Sequence, residues 1–429
     1  MKNLKIAFHT LGCKLNFAET TTYERAFADA GLEVVPWGRK ADLYLINSCS
    51  VTEHSNQKTR GEIRRAHRLS PEAAIIVTGC YAQLRPSEIM AIEGVRFVFG
   101  AAEKSTLVQT VLEEFQSGKA VCHGEDLNPA RPQPIRTEDI MPAFSCGERT
   151  RAFLKVQDGC SNYCAYCTVP YARGESRSLR IAEIVEQAQL IAGSGIREIV
   201  LTGVNTGDFG RNTGETFLDL LKALNAVEGI ERYRISSIEP NLITDEIVDW
   251  IASGTKFLPH FHIPLQTGSD ELLKKMGRRY DTAFFASKID YIRKKMEGPG
   301  KPKVFFGIDT MVGLPGETEE LFMQTYDFIS SIRPAFIHVF PYSKRPGTRA
   351  AAMKGQIPER IKTERVARLE QLCKELNDAF TEENRGIEET VLFESREKDG
   401  TMSGYTGNYI RITREYDSNL VGKTVKVTI

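Results

Sequence analysis

Residues 158–178, DGCSNYCAYCTVPYARGESRS, decide how the rest of the chain is read. They set Cys160, Cys164 and Cys167 in a C-x3-C-x2-C array directly after 151–156 (RAFLKV), which reads as a β-strand. A C-x2-C turn can bring two thiolates to one metal centre, and a third thiolate one turn away completes a tripod. Structural zinc closes four ligands around itself, and no fourth Cys or His lies nearby. Three thiolates therefore suit an iron–sulfur cluster with one iron left open. The alternative is a zinc knuckle or plain structural thiols.

Working outward, a βα rhythm runs from 151 to about 350. Strands are expected at 151–156, 198–202, 233–237, 261–264, 303–311 and 336–340, with helices at 179–193, 216–227 and 318–332. Six such units in this length fit a partial (βα)6 barrel better than a complete eightfold one. Upstream, strands at 4–9, 41–47, 74–78 and 96–100 alternate with helices at 16–30, 53–69 and 86–92, the pattern of an open parallel α/β sheet. Residues 121–148 carry Pro, Gly and charge without periodicity and read as a linker. A charged helix is expected at 358–385, and the last forty residues alternate with period two between Gly and Asn turns, as in a small antiparallel β-barrel. The expected fold class is thus α/β. Its domains are an N-terminal α/β domain (1–120), the linker (121–148), the partial barrel (149–375) and a small β domain (376–429).

Composition agrees with this plan. The chain has 429 residues, 41% hydrophobic and 26% charged, which excludes a collagen, a coiled-coil rod and a largely disordered protein. With 56 basic and 56 acidic residues the net charge is zero, so nucleic-acid binding must rest on local patches. No stretch is long and apolar enough for a signal peptide or a membrane span, so a cytoplasmic protein with no membrane partner is expected. Nine cysteines, an odd number in such a chain, argue for metal or redox chemistry over disulfides. Cys122, Cys146 and Cys373 are read as inert buried thiols.

A second set of three is less obvious. Cys13, Cys49 and Cys80 each fall just past an expected strand, in IAFHTLGC, LYLINSC and AIIVTGC. Loops after the carboxyl ends of parallel strands gather along one edge of the sheet, so these thiols can converge although distant in sequence. Gly12 and Gly79 precede two of them and allow close backbone approach to a bulky group. Three independent buried thiols are the plainer alternative.

The first array, in the first βα loop of a partial barrel, resembles the radical S-adenosylmethionine (SAM) enzymes. With the second triad the match narrows to the radical SAM methylthiotransferase family. LTGVNTGDFG (201–210), SSIEP (236–240), HIPLQTGSDELLKKMGRRY (262–280), MVGLPGET (311–318) and YSKRPGTRA (342–350) also resemble family segments. The resemblance implies two [4Fe–4S] clusters. Cys160, Cys164 and Cys167 would hold the one that cleaves SAM to a 5′-deoxyadenosyl radical. Cys13, Cys49 and Cys80 would hold an auxiliary one that supplies sulfur. One SAM would donate methyl and a second would yield the radical. The six cysteines would be the catalytic set, and Gly203, Asn205, Gln266, Gly313 and Pro315 would contact SAM. The C-terminal domain would be the family's TRAM module, a small RNA-binding β-barrel.

Around Cys13, TLGCKLNFAET resembles the branch that modifies C2 of N6-threonylcarbamoyladenosine at tRNA position 37. The isopentenyladenosine branch tends to Tyr-Gly-Cys-Gln-Met-Asn and the ribosomal-protein aspartate branch to Leu-Gly-Cys-Pro-Lys-Asn. The implied partners are a tRNA anticodon stem-loop, an electron donor and a sulfur source. Arg60, Arg64 and Arg68 share one helix face that could meet phosphates or simply be solvated, and KKMGRR (274–279) is equally ambiguous. Tyr405, Tyr409 and Arg411 could stack on bases and meet phosphates. Against RNA binding, 376–429 holds ten acidic and seven basic side chains, a net −3, which keeps the ribosomal-protein substrate open. Asp158, Glu175 and Arg345 are unranked candidates for proton transfer or substrate contact. Two other classes are weighed. One is a metal-dependent hydrolase built on His260, His262 and His338. The other is a non-catalytic iron–sulfur RNA-binding or redox-sensing protein, which would leave SAM intact.

Overall fold

Two hexamers, Leu43–Ser48 and Ala74–Gly79, are buried at every position, so they need partners on both edges and cover on both faces. The computed structural model, which describes residues 4–130, 132–135, 137, 139–147, 149–397 and 399–429, puts them at the centre of a parallel sheet. Along the chain come β1 (Lys5–Thr10), α1 (Lys14–Asp29), β2 (Glu33–Val35), β3 (Leu43–Ser48), α2 (Glu53–Leu69) and β4 (Ala74–Gly79). Two short helices follow, α3 (Cys80–Leu84) and α4 (Pro86–Met90), then β5 (Val95–Val98), α5 (Leu107–Glu114) and β6 (Val121–Cys122). The strand order is β2-β1-β3-β4-β5-β6. Phe8, Phe27 and Phe97 pack on one face, and Tyr44, Ile63 and Tyr81 on the other. Thr10 pairs with Asn47, and Asn47 with Thr78, so β1, β3 and β4 end flush at one edge.

The second unit opens with β7 (Arg151–Lys155). A two-residue hairpin, β8 (Gln157–Asp158) with β9 (Arg177–Ser178), then closes the base of the 159–176 loop, which carries α6 (Val169–Arg173). There follow α7 (Ile181–Gly193), β10 (Glu198–Thr202), α8 (Phe217–Asn225), β11 (Arg232–Ile235), α9 (Asp245–Ala252) and β12 (His260–Gln266). The unit continues with α10 (Asp270–Met276), α11 (Thr282–Met296), β13 (Phe305–Val312), α12 (Glu319–Ile332), β14 (Phe336–Pro341) and α13 (Arg349–Ala352). Parallel sheets β11-β10-β7 and β12-β13-β14 meet through the bridges Tyr233–Phe257 and Ser237–His262, giving the six-stranded arc expected of a partial barrel. Its core includes Leu154, Ile199, Tyr233, Phe261, Ile263 and Phe306.

The long helix α14 (Glu359–Glu383) inserts Leu369, Leu372 and Cys373 into the barrel core. Then come β15 (Glu388–Arg396), β16 (Thr401–Tyr405), β17 (Arg411–Glu415) and β18 (Thr424–Thr428), an antiparallel sheet ordered β17-β16-β15-β18. Buried arginines of β11 hold this sheet to the barrel. Arg234 donates to the carbonyls of Thr406 (2.7 Å) and Gly407 (2.8 Å), Arg232 to that of Tyr405 (3.0 Å), and Glu198 lies between them. Among the described residues no helix is long and apolar enough to cross a membrane.

The 121–148 stretch reads as a linker but begins with β6, and residues 143–145 run antiparallel beside β7. Ser145 N–H donates to Phe153 and Lys155 N–H to Ala143, both at 2.9 Å. Met141 and Ala143 are buried in the core of the first sheet. The free edge of β7 needs hydrogen-bond partners, and this segment provides them. Residues 131, 136, 138 and 148 of that stretch lie outside the described residues, as do 1–3 and 398.

Candidate active site

Flush strand ends put the first triad together. Cys13 is the N-cap of α1, Cys49 follows β3 directly, and Cys80 opens α3 directly after β4. Burial pushes the Cys49 thiol up to about 11, with Cys80 and Cys13 adding to the shift. Burial also raises Cys80, with Cys13 adding and Arg173 and Lys104 opposing. Each of these thiols therefore lies within electrostatic reach of the others. Asn16 braces the loops, its Nδ2 donating to Leu11 O (2.8 Å) and Ser48 O (3.0 Å). Ser48 Oγ donates to Thr78 O (2.5 Å) and accepts from Ala82 N–H (3.2 Å).

Glycine is required before two of these cysteines. Gly12 has φ +100°, and a Cβ there would lie 2.7 Å from Cys49 Cβ. Gly79 has φ 94° and ψ −167°, and its Cβ would lie 2.3 Å from Ser48 O. Few residues other than glycine occupy that backbone region. Gly79→Ala is expected to cost roughly 2–4 kcal/mol from strain and overpacking together. Any iron that Cys80 would hold should be lowered as well. Thermal unfolding with iron analysis checks this, and a variant matching the parent in both contradicts it.

The second triad sits in the 159–176 loop. Cys160 N–H donates to Gly174 O and Cys167 N–H to Cys164 O, both at 3.0 Å, and Val169 N–H points at Cys167 Sγ (3.4 Å). Burial raises the thiol of Cys160 to about 11 and raises that of Cys167 as well. Arg278 donates to Cys164 Sγ (3.1 Å) and is clamped by both oxygens of Glu239 (2.6 Å each). The ambiguous KKMGRR run thus turns one arginine inward to a thiol.

Between the triads lies a buried charge network that sequence reasoning missed. Glu19 of α1 is fully buried and meets Lys104 (2.8 Å), Lys155 (2.9 Å) and Arg173 (3.3 Å). Asp158, read above as a proton-transfer candidate, is committed to the same network through Lys155 and Arg173, both at 2.8 Å, with Arg177 at 3.8 Å. Arg173 also donates to Asn16 Oδ1 (2.5 Å), which ties the loop after Cys167 to the helix after Cys13. Four buried cations face two carboxylates, and Arg173 feels the charges of Cys80 and Cys13. The only available sequence signal was charge inside buried runs, such as Lys155 in RAFLKV.

Both triads fit iron–sulfur clusters better than single ions. A tetrahedral zinc with bonds near 2.3 Å draws its sulfurs to about 3.8 Å apart. Among the described residues, the one set of three such groups close enough for a single ion is His262, Asp309 and His338, within 4.8 Å; neither thiol triad closes that tightly. An anionic three-thiolate cluster also answers the excess positive charge beside Cys80.

The hydrolase reading lacked a third ligand class, and Asp309 is one it overlooked. His262 shares one nitrogen with Asp309 (2.9 Å) and the other with Ser237 Oγ (2.9 Å). His260 turns elsewhere, stacking on Phe305 at 4.9 Å, and burial lowers its pKa well below the usual histidine value.

A cavity of about 850 Å³ joins the three units. Gly12, Cys13 and Lys14 form its wall at the first triad, Gly203 and Ser236 lie at barrel strand ends, and Tyr405 and Tyr409 come from the C-terminal sheet. Gly203 is the one expected SAM contact that lines it. Asn205 is buried, with Oδ1 accepting from Glu239 N–H (3.2 Å) and its own N–H donating to Gln157 Oε1 (3.0 Å). Gln266 ends β12 with φ +73°, while Gly313 and Pro315 are buried past the end of β13. Gln266 thus closes a barrel strand, and the other four follow the carboxyl ends of such strands.

Several other expectations change. Arg345 is held by Ser50 Oγ (2.7 Å) and Glu53 (3.2 Å), so it fastens the loop after β14 to the loop after Cys49. Glu175 accepts from Tyr163 OH at 3.3 Å. Tyr405 and Tyr409 stack on each other at 4.7 Å with Arg151 over both, and Arg411 is paired with Glu397 (2.7 Å). Arg60 is paired with Glu53 and Glu88, while Arg64 and Arg68 are exposed. Cys373 is buried, but Cys122 is exposed at the sheet edge and Cys146 is half-buried under Arg25.

Comparison with known proteins bears on both halves of the chain. A family model described as "Uncharacterized protein family UPF0004" matches residues 5–100, and one described as "Radical SAM superfamily" matches 154–329. A Bacillus subtilis (strain 168) protein, threonylcarbamoyladenosine tRNA methylthiotransferase MtaB, is 41% identical over 99% of this chain and 93% of that protein. Its Aquifex aeolicus (strain VF5) namesake is 39% identical over 99% of this chain and 100% of that protein. A tRNA-2-methylthio-N(6)-dimethylallyladenosine synthase of Carboxydothermus hydrogenoformans is 31% identical over 98% and 95%. The radical SAM methyltransferase TsrM of Kitasatospora setae, solved with cobalamin and a [4Fe–4S] cluster, shares the fold at a TM-score of 0.57. It is 15% identical and covers 82% of this chain and 77% of that one. Relatives so close along nearly the full length, on a scaffold that gathers one thiol triad at a sheet edge and another in a barrel loop, make this chain a member of the radical SAM methylthiotransferase family.

Proposed function

We propose that this enzyme places a methylthio group on C2 of N6-threonylcarbamoyladenosine at position 37 of tRNA. One observation carries the reading: Cys13, Cys49 and Cys80, far apart in sequence, converge at one sheet edge, and Cys13 opens onto the cavity shared with the barrel. Cys160, Cys164 and Cys167 would hold the SAM-cleaving [4Fe–4S] cluster, and Cys13, Cys49 and Cys80 the auxiliary one. Bound there, the two clusters supply the electron that cleaves SAM and the sulfur that is transferred.

The chain's own groups orient and insulate this chemistry. The Arg278 hydrogen bond to Cys164 Sγ stabilises negative charge on that sulfur, and Glu239 fixes the guanidinium in place. Arg173, bonded to Asn16, sets the spacing between the cysteine loops. Gly203, Asn205, Gln266, Gly313 and Pro315, at or just past the ends of the barrel strands, form the SAM contacts in this reading. On the same reading, one SAM would supply the methyl group and a second would be the one cleaved. Phe336, Phe340 and Tyr405 give the cavity an apolar wall. In this reading a sulfur source and an electron donor come from outside the chain, and a cytoplasmic location fits a tRNA substrate.

Mass spectrometry of tRNA nucleosides from cells lacking the protein is the test. The 2-methylthio form of threonylcarbamoyladenosine should vanish while its precursor accumulates. Unchanged tRNA with an altered ribosomal protein would overturn the assignment.

A further inference from the structure

We infer that Lys14 reads the free carboxylate of the threonylcarbamoyl group and so selects an anionic N6 substituent over an apolar one. The inference rests on the substrate reading above and adds the side chain that discriminates. Lys14 lines the cavity beside Cys13 and is exposed to it. Every other strong charge around it is already committed. Arg411 is paired with Glu397, Asp309 with His262, Arg151 with Glu394 (2.8 Å) and Arg234 with Glu198 (2.7 Å). Among the described residues the Lys14 side chain makes no hydrogen bond or ion pair, and its electrostatic neighbours are Tyr409 and Asp309 on one side of the balance and Arg151 and Arg234 on the other. With Arg151 and Arg234 each paired to a glutamate, the Lys14 ammonium is, among the described residues, the cation on that wall left without a direct partner. A second vacancy for a polar ligand lies in the same cavity: Nδ1 of the buried His260 has no partner.

The chemistry of the substituent explains why the reader should adjoin Cys13. The ureido N–H next to the threonyl α-carbon can close a six-membered hydrogen-bonded ring onto adenine N1. The amino-acid portion then lies on the C2 edge of the base, with its carboxylate near the carbon that accepts sulfur. With C2 presented to the auxiliary triad, that carboxylate would face the stretch of cavity wall that Lys14 forms beside Cys13. A carboxylate–ammonium hydrogen bond in a partly desolvated site suits this role.

The test compares the parent with Lys14→Gln and Lys14→Arg. The probes are two anticodon stem-loop RNAs, one carrying threonylcarbamoyladenosine and one its carboxamide analogue, which lacks only the charge. Binding is read by fluorescence anisotropy and turnover by KM and kcat. The parent should prefer the carboxylate RNA by about tenfold or more, Lys14→Gln should lose that preference mainly through Kd and KM, and Lys14→Arg should keep most of it. Iron content and RNA-independent 5′-deoxyadenosine formation should match the parent in both variants. A Lys14→Gln protein that keeps the preference overturns the proposal. One that loses iron does so too, because Lys14 would then be a support for the Cys13 loop. A parent that methylthiolates the carboxylate RNA without preferring it overturns this proposal alone. A parent that leaves that RNA unmodified overturns the substrate reading, and this inference with it.

Discussion

Cys80→Ala is expected to give a folded enzyme that still cleaves SAM to 5′-deoxyadenosine but transfers no detectable methylthio group to tRNA. Cys80 belongs to the sheet-edge triad, whereas the barrel triad occupies a loop closed off by its own hairpin, β8 with β9. Removing one thiol from the first should therefore leave the second intact. Cys160→Ala should do the reverse at the first step, abolishing 5′-deoxyadenosine and with it all transfer. Chromatographic measurement of 5′-deoxyadenosine beside modified nucleoside reads both variants. Loss of both products in a folded Cys80→Ala protein would contradict the division of roles.

The second large effect is on stability. Burial alone raises the Glu19 carboxyl, but Lys104, Lys155 and Arg173 together outweigh it and hold its pKa far below the usual carboxylate range. The same balance depresses Asp158, with Lys155 and Arg173 foremost among the opposing charges. Glu19→Gln leaves four buried cations facing a single carboxylate, a change expected to cost roughly 3–5 kcal/mol. Set against a total of about 5–15 kcal/mol for an ordinary domain, that is a severe loss. Because the folded-state pKa is depressed, the stabilisation is fully present above the unfolded value of about 4 and is lost as pH falls below it. Urea midpoints of the metal-free chain should therefore fall between about pH 5 and pH 3, and Glu19→Gln should start lower and vary less with pH. Equal midpoints for parent and variant at pH 7 would contradict this account of the network.

What was legible in the sequence followed from local pattern. Six-residue apolar runs punctuated by glycine marked the strands, and a thiol just past each of three strand ends marked the first triad, because parallel topology turns that position into proximity. The barrel array was legible from spacing alone. What escaped depends on juxtaposition across long separations. Glu19 looks like a surface glutamate of α1 until Lys104, Lys155 and Arg173 close around it from three other segments. Asp309 gives no sign in sequence that His262 and His338 flank it. Arg278 sits in a basic run that reads equally as an RNA contact or a solvated face, and only the fold turns it to Cys164. Residues 143–145 lack periodicity because they follow an edge rather than forming an element of their own.

Iron and acid-labile sulfide counted on the anaerobically reconstituted chain test the central claim most directly. Two four-iron clusters predict about eight irons per chain in the parent. About four should remain in a variant with Cys13, Cys49 and Cys80 all changed to Ala, and about four in one with Cys160, Cys164 and Cys167 so changed. A parent that binds only about four, or a triple variant that keeps the full complement, would contradict two independent cluster sites.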